Sequence, residues 1–178
     1  MDLGFIILCP DKNIGGLRNT MFSINNNSYN RESVAIVGDN ASTEEIKGMK
    51  EICQVHKGKE TITSLINTGM KKIKHEWAFL LFAGSRIQPY VEKKLQFAKT
   101  EKDILFPVVN RKCDFVSGSF DGVMINTKFF REIGDFPDIT LSKEDSTINE
   151  FEMAKLLWFM AACHKKAVFK AIIGLRVS

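Results

Sequence analysis

Short, nearly unbroken apolar runs constrain this chain more than any other feature. Leu3 to Cys9, Ser33 to Val37 and Trp77 to Phe82 carry hydrophobic residues side by side rather than alternating with polar ones. A strand with one face in water alternates, whereas a strand covered on both faces does not. Such strands belong to parallel sheets with helices on both sides. Each run also stops abruptly, at Pro10, at Gly38-Asp39-Asn40 and at Ala83-Gly84-Ser85.

The segments between these runs read as helices. Gly15 and Gly16 fall in a polar turn, and Leu17 to Asn25 follows as a helix. Ser42-Thr43-Glu44-Glu45 is a capping box that opens a helix reaching about Cys53. Gln54 to Val55 reads as a short third strand. Thr61 to Lys74 is apolar at 62, 65, 66, 70 and 73, which is helical spacing. Pro89 to Thr100 is expected to be helical, with proline at the start, where a missing N–H costs nothing.

Further along, Asp103 to Val109 predicts a strand, and Phe115 to Ile125 one or two more. Thr127 to Ile133 predicts a short helix closed by Gly134. Ser146 to His164 predicts a longer helix, and Ala167 to Ile173 a last strand. The alternation of strand and helix implies an α/β chain: a three-layer α/β/α arrangement around a mostly parallel sheet, mixed in its second half. With 178 residues and no linker or repeat, 1–178 reads as a single domain.

Composition excludes several classes. Hydrophobic residues make up 44% of the chain, enough for a core, and the 14 Phe sit mostly in apolar runs as core filling. The net charge of +4 suits a polyanionic small ligand, but lysines form no block of the kind that binds nucleic acid. Cys9, Cys53, Cys113 and Cys163 make no C-x-x-C pair, so neither zinc nor a redox dithiol is expected. Buried, reduced thiols and the lack of a signal-peptide pattern point to a cytoplasmic protein. No apolar run approaches the ~20 residues that cross a bilayer. There is no P-loop, no G-x-G-x-x-G and no Ser-His-Asp context, so no organic cofactor is expected. His56, His75 and His164 lack metal-ligand spacing and are not assigned to catalysis.

In such sheets ligands sit beyond the carboxyl ends of the strands. Asp39 follows a buried strand and can accept a hydrogen bond from a base or ribose, or it can cap a turn. Asp11-Lys12-Asn13 is open to the same two readings. His56-Lys57-Gly58-Lys59 offers cations near a helix start, suited to a diphosphate, or a solvated loop. In Ala83-Gly84-Ser85-Arg86, Gly84 would admit a ligand close to the backbone, Ser85 could donate a hydrogen bond and Arg86 could neutralise phosphate. The plain alternative is a tight turn with a surface arginine. Lys143-Glu144-Asp145-Ser146 sets adjacent carboxylates before a helix, as a general base or as caps.

Taken in order, these segments resemble the inverting GT-A glycosyltransferases of the family 2 type over nearly the whole chain. The likeness rests on Ile6 to Asn13 with Leu17, Thr20, Ser23 and Ile24, and on Val34 to Thr43. It continues in Leu65 to Met70 with Trp77 to Phe82, and in Gly122 to Phe136 with Glu144-Asp145.

The resemblance implies that Asp39 binds uracil or another base and that Pro10 and Asp11 line the nucleotide cleft. Asn13, Lys59, Asn67, Gly84, Ser85 and Arg86 complete the expected nucleotide-binding set. Asp145, with Glu144 beside it, would be the base that deprotonates the acceptor. The implied donor is a UDP-sugar and the implied acceptor a glycan or other hydroxyl; a homo-oligomer is compatible with the sequence, and nucleic acid is not expected.

The likeness has a gap. The family's D-x-D, which holds Mn2+ or Mg2+, would fall near Phe82-Ala83-Gly84-Ser85, where there is no carboxylate. Asp121 or Asp145 is then the spare acid for a metal, unless Arg86 and nearby lysines replace its charge. The gap also opens a second reading, a non-catalytic nucleotide-sugar-binding or scaffold protein. A nucleotidyltransferase is the third, on the faint signal of Gly15-Gly16-Leu17-Arg18.

Overall fold

The computed structural model describes residues 2–107, 120–139 and 149–172. The chain begins β1 (Leu3–Cys9), α1 (Ile14–Asn27), β2 (Ser33–Gly38), α2 (Thr43–Lys50), β3 (Gln54–Gly58), α3 (Ile62–Lys72) and β4 (Trp77–Phe82). After a 3-10 helix at Val91–Phe97 come β5 (Asp103–Pro107), β6 (Met124–Asn126), α4 (Thr127–Ile133), α5 (Glu150–His164) and β7 (Val168–Ile172).

The strands form one sheet in the order β3-β2-β1-β4-β6-β5-β7. β1 is parallel to both β2 and β4, and β2 to β3. β6 runs antiparallel to β4 and β5, and β7 pairs parallel to β5. The chain therefore steps outward from β1 to β3 and then returns to the other side of β1. Right-handed crossovers require the returning helix to lie on the opposite face, and the two cores divide that way. Leu17, Met21 and Ile24 of α1 and Met49 of α2 pack with Leu3, Phe5, Ile7 and Cys9. Leu65, Ile66 and Met70 of α3 pack on the other face with Ile6 and Leu8, as do Phe129 and Phe130 of α4 and Trp158 and Phe159 of α5.

Most of the described phenylalanines fill this second core, while Phe5 and Phe79 belong to the first and Phe22 and Phe97 are exposed. Phe136 stacks on Trp158 with centroids 4.8 Å apart, and the Trp158 indole N–H donates to the Gly134 carbonyl at 2.9 Å. Phe120 meets Phe106, Phe136 and Trp158 edge-on. Each such buried ring contributes roughly 1.5–3 kcal/mol, so this cluster holds the antiparallel half of the sheet to α4 and α5.

Three local expectations change. Gly15 and Gly16 lie inside α1, because the Asn13 side chain caps the helix by accepting from the Gly16 N–H at 2.8 Å. β3 runs to Gly58, so His56 and Lys57 belong to an edge strand rather than a loop; charged edges resist pairing with other chains, and they also hide a strand from hydrophobic pattern. The segment expected as a helix from Pro89 is a 3-10 turn that starts only after Tyr90, at φ 55°. Of the strands expected over 115–125, the described part contains the start of β6, and 115–119, like 108–109 and 146–148, lie outside the described residues.

Candidate functional site

The strand order reverses between β1 and β4, and a crevice at such a switch is where open α/β sheets bind ligands. The parallel strands end level with one another: Leu8 pairs with Phe82, Cys9 with Val37, and Gly38 with Gly58. Neighbouring strands lie about 4.8 Å apart, so the turns after β3, β2, β1 and β4 line a row roughly 15 Å wide. Lys59, Asp39, Asp11 and Arg86 all fall on this row.

Each turn is held by its own backbone contacts. After β1, Pro10 is half-buried and Asp11 exposed, Lys12 takes a left-handed conformation at φ 54°, and its N–H reaches the Cys9 carbonyl at 3.2 Å. Asn13 is occupied as the α1 cap. After β2, Asp39 and Asn40 are exposed. Their turn is tied by the Lys57 ammonium, which donates to the carbonyls of Asp39 (3.1 Å) and Ala41 (3.2 Å). Glu60 accepts from the Asn40 N–H at 3.1 Å. Its carboxylate lies over Gly38, where an added Cβ would come within 2.4 Å of Glu60 Oε1. Lys57, expected as a diphosphate cation or a loop residue, thus holds the neighbouring turn, and Glu60 is a residue that sequence reasoning passed over; the only local signal was a glycine ending a strand whose neighbours are large.

The turn after β4 is the most tightly bonded. The Ala83 N–H donates to the Leu8 carbonyl at 2.8 Å, and the Gly84 N–H to the Thr20 hydroxyl at 2.9 Å. Asp121 accepts from the Phe82 N–H at 2.9 Å and from the Ser85 hydroxyl at 2.5 Å. Burial pushes the Asp121 carboxyl above its ordinary range, and those two hydrogen bonds only partly oppose the shift. Gly84 is exposed at φ 110° with open space where a side chain would stand, so this position needs glycine for its backbone. Gly16 serves a different end: a Cβ there would be 3.1 Å from the Ala83 carbonyl carbon, so its absence lets the turn rest on α1.

Several expected ligand contacts are therefore engaged elsewhere. Ser85 is buried and gives its hydroxyl to Asp121. The Asn67 amide donates to the Phe136 carbonyl at 3.0 Å and accepts from the Phe136 N–H at 2.9 Å, so it is a brace between α3 and the segment after α4. Lys59 faces Asp138 at 3.7 Å, both exposed. Arg86 is exposed with no ion-pair partner among the described residues. Glu144 and Asp145 lie outside the described residues. The chain on either side of them, at Ile139 and Asn149, lines a cavity of about 360 Å3 shared with Glu60 and Thr63.

The same architecture occurs in a solved glycosyltransferase. The crystal structure of GalNAc-T7 with UDP, GalNAc and Mn2+ matches with a TM-score of 0.68 over 96% of this chain, at 13% identity. This is a GT-A-like fold. The chain spans 42% of that neighbour's length. No protein-family model matches the sequence, and no curated protein does.

On this GT-A-like sheet, the described residues do not fit a hard divalent cation. No group of three or more His, Cys, Asp or Glu side chains gathers among them. Asp121, the carboxylate at the end of β4, has each oxygen accepting a hydrogen bond from the turn it braces. Oxygen-rich coordination of Mn2+ or Mg2+ needs more ligands than this turn offers. No helix among the described residues is long and apolar enough to cross a membrane.

Proposed function

We propose that the chain binds a UDP-sugar along the carboxyl ends of β2, β1 and β4 and transfers the sugar to a hydroxyl of a glycan or similar acceptor. The observation that carries this reading is the level row of turns at the sheet's switch point, on a fold matched by a glycosyltransferase solved with UDP, GalNAc and Mn2+. Asp39, exposed and held by its backbone, faces the base. Pro10 and Asp11 border the sugar-nucleotide, and Arg86 with Lys59 offsets diphosphate charge.

In the transfer step, the acceptor oxygen attacks the anomeric carbon as the bond to the diphosphate breaks. The hydroxyl proton passes to Asp145, with Glu144 beside it, and UDP departs. Attack opposite the leaving group inverts the anomeric centre. General-base assistance of this kind is worth typically ~10²–10⁴ in rate.

The test has two parts. Thermal shift with UDP and a panel of UDP-sugars, with and without Mn2+, should raise the melting temperature, because a ligand selective for the folded form stabilises it by mass action. Donor turnover should then fall by at least about a hundredfold in Asp145→Asn. Full turnover in that variant removes Asp145 from its role, and no shift with any nucleotide removes the reading altogether. A second reading, binding without turnover, is favoured by the turn at 82–85, which carries no carboxylate and whose Ser85 is committed to Asp121. Sugar transfer by the pure protein would dispose of it.

A further inference from the structure

α5 is built inside out. Between Met153 and Cys163 the one charged residue is Lys155, which is buried with its ammonium 5.7 Å from the Phe151 ring centre. The residues turned to solvent are apolar: Leu156 is 38% exposed, Leu157 43% and Met160 61%. A surface helix ordinarily shows the reverse pattern, and a helix apolar on all sides is ordinarily covered on all sides.

The outer face has a defined pattern. Glu150, Met153, Leu157, Met160 and His164 follow one another at alternating intervals of three and four, the spacing of a seam between paired helices. Leu157 is the midpoint of that seam, with Glu150 and His164 each seven positions away and Met153 and Met160 four before and three after it. The ends are oppositely charged, with Glu150 and Glu152 in the first turn and His164, Lys165 and Lys166 at the last.

We propose that a second copy of this chain covers this face, the two α5 helices packing antiparallel about a two-fold axis at Leu157. A two-fold interface must be self-complementary. Reversing the seam lays Leu157 on its own counterpart and the acidic end of each helix over the basic end of the other. A parallel pairing would set like charges together. A helix of 15 residues is about 22 Å long, so the contact falls below the ~1,600 Å² of a standard interface. The dimer is accordingly weak and concentration-dependent.

The test is sedimentation equilibrium of the 178-residue protein over a concentration series. The expected result is a reversible monomer–dimer equilibrium that is lost in Leu157→Glu, which sets two carboxylates at the axis. Far-UV circular dichroism should show that variant folded, since the position is exposed. A second variant needs no loss of stability: Leu157→Cys in a Cys163→Ser background should form a disulfide-linked dimer under mild oxidation. A monomer at every concentration, a dimer unaffected by Leu157→Glu, assembly beyond two copies, or absence of the cross-link overturns the proposal.

Discussion

The two ends of the parallel sheet are built in opposite ways. At the N-terminal ends of the strands, charged side chains bind one another. His75 Nδ1 lies 2.5 Å from Asp2 Oδ1, and its Nε2 lies 2.6 Å from Glu32 Oε2. Asp2 also receives the Glu76 N–H at 2.9 Å, and its carbonyl receives the Trp77 N–H at 2.9 Å. One imidazole thus ties the approaches to β1, β2 and β4. At the carboxyl ends the polar side chains hold backbone instead, as Lys57, Glu60, Asn13 and Asp121 do, and Asp11 and Asp39 are left facing solvent. A cavity of about 520 Å3 lies at the N-terminal end, lined by Glu32, His56, Lys72 and His75 among others, against about 360 Å3 beside Glu60. Volume alone would select the first end. The commitment of the side chains selects the second, because chemistry needs groups that are positioned but still available.

If the N-terminal end is a lock, disturbing it should be costly. Gly4→Ala is expected to have the largest effect. An added Cβ would fall 2.3 Å from His75 Cδ2 and 2.6 Å from Ile73 Cδ1. The ring has little room to retreat, since both of its nitrogens are held. Overpacking of this kind costs about 1–3 kcal/mol, and the upper part of that range is expected in urea unfolding. An unchanged midpoint would show that the clamp is slack. Asp121→Ala comes next, at the other end. It leaves the Phe82 N–H and the Ser85 hydroxyl without their acceptor, a loss of about 1–3 kcal/mol. It should also loosen the β4 turn and weaken any UDP thermal shift, whereas Asp121→Asn, which keeps an acceptor oxygen, should be milder.

The clamp should also respond to pH. Burial works to lower the His75 pKa, but the hydrogen bonds its ring donates to Asp2 and Glu32 outweigh it and the net shift is upward. The His75 hydrogen bond and the Glu76 N–H lower that of Asp2. A raised histidine value gives stability that is complete below about pH 6.5 and fades as pH climbs through the folded-state value. A lowered carboxylate value gives stability complete above about pH 4 that fades in acid. The difference in stability between the native chain and His75→Gln should therefore be greatest between those limits and shrink on either side. Asp2 and Glu32 are largely exposed, so solvent screening holds it to about 0.5–1 kcal/mol. A flat difference across pH would mean that the imidazole acts by packing alone.

Legibility in the sequence followed the range of the interactions. β1, β2 and β4 were readable because burial on both faces leaves an unbroken apolar run. Ser42 to Glu45 was readable because a capping box is complete within four residues. The row of strand-end turns followed from the same pattern, which is why Pro10, Asp11, Asp39 and Arg86 fall in the turns after β1, β2 and β4. Where a side chain's partner is distant, its role was not readable. Asn67 reads as a site residue until Phe136, 69 positions on, takes both ends of its amide. Ser85 reads as a ligand donor until Asp121, 36 positions on, accepts its hydrogen bond. Lys57 reads as loop because an edge strand need not be apolar. α5 is the reverse case: its sequence is plainly apolar at 153, 156, 157 and 160, but only the fold shows that 156, 157 and 160 face outward and that 153 is half-buried.

Gly38→Ala should have the smallest effect, and it bears most directly on the contrast between the two ends. Its added Cβ would stand 2.4 Å from Glu60 Oε1, nearly the clash expected at Gly4. The obstacle differs in kind. At Gly4 it is a ring pinned on two sides; at Gly38 it is the tip of an exposed glutamate whose hydrogen bond from the Asn40 N–H water can replace. Removing a glycine from a strand also recovers roughly 0.5–1 kcal/mol of backbone entropy. The net change in stability should therefore stay within about 0.5 kcal/mol. The UDP response should still change, because the carboxylate beside Asp39 and Asn40 has been displaced. Paired urea melts of Gly4→Ala and Gly38→Ala decide the matter. Equal losses would mean that both ends are equally rigid, and the carboxyl end would lose its claim to be the working face of the sheet.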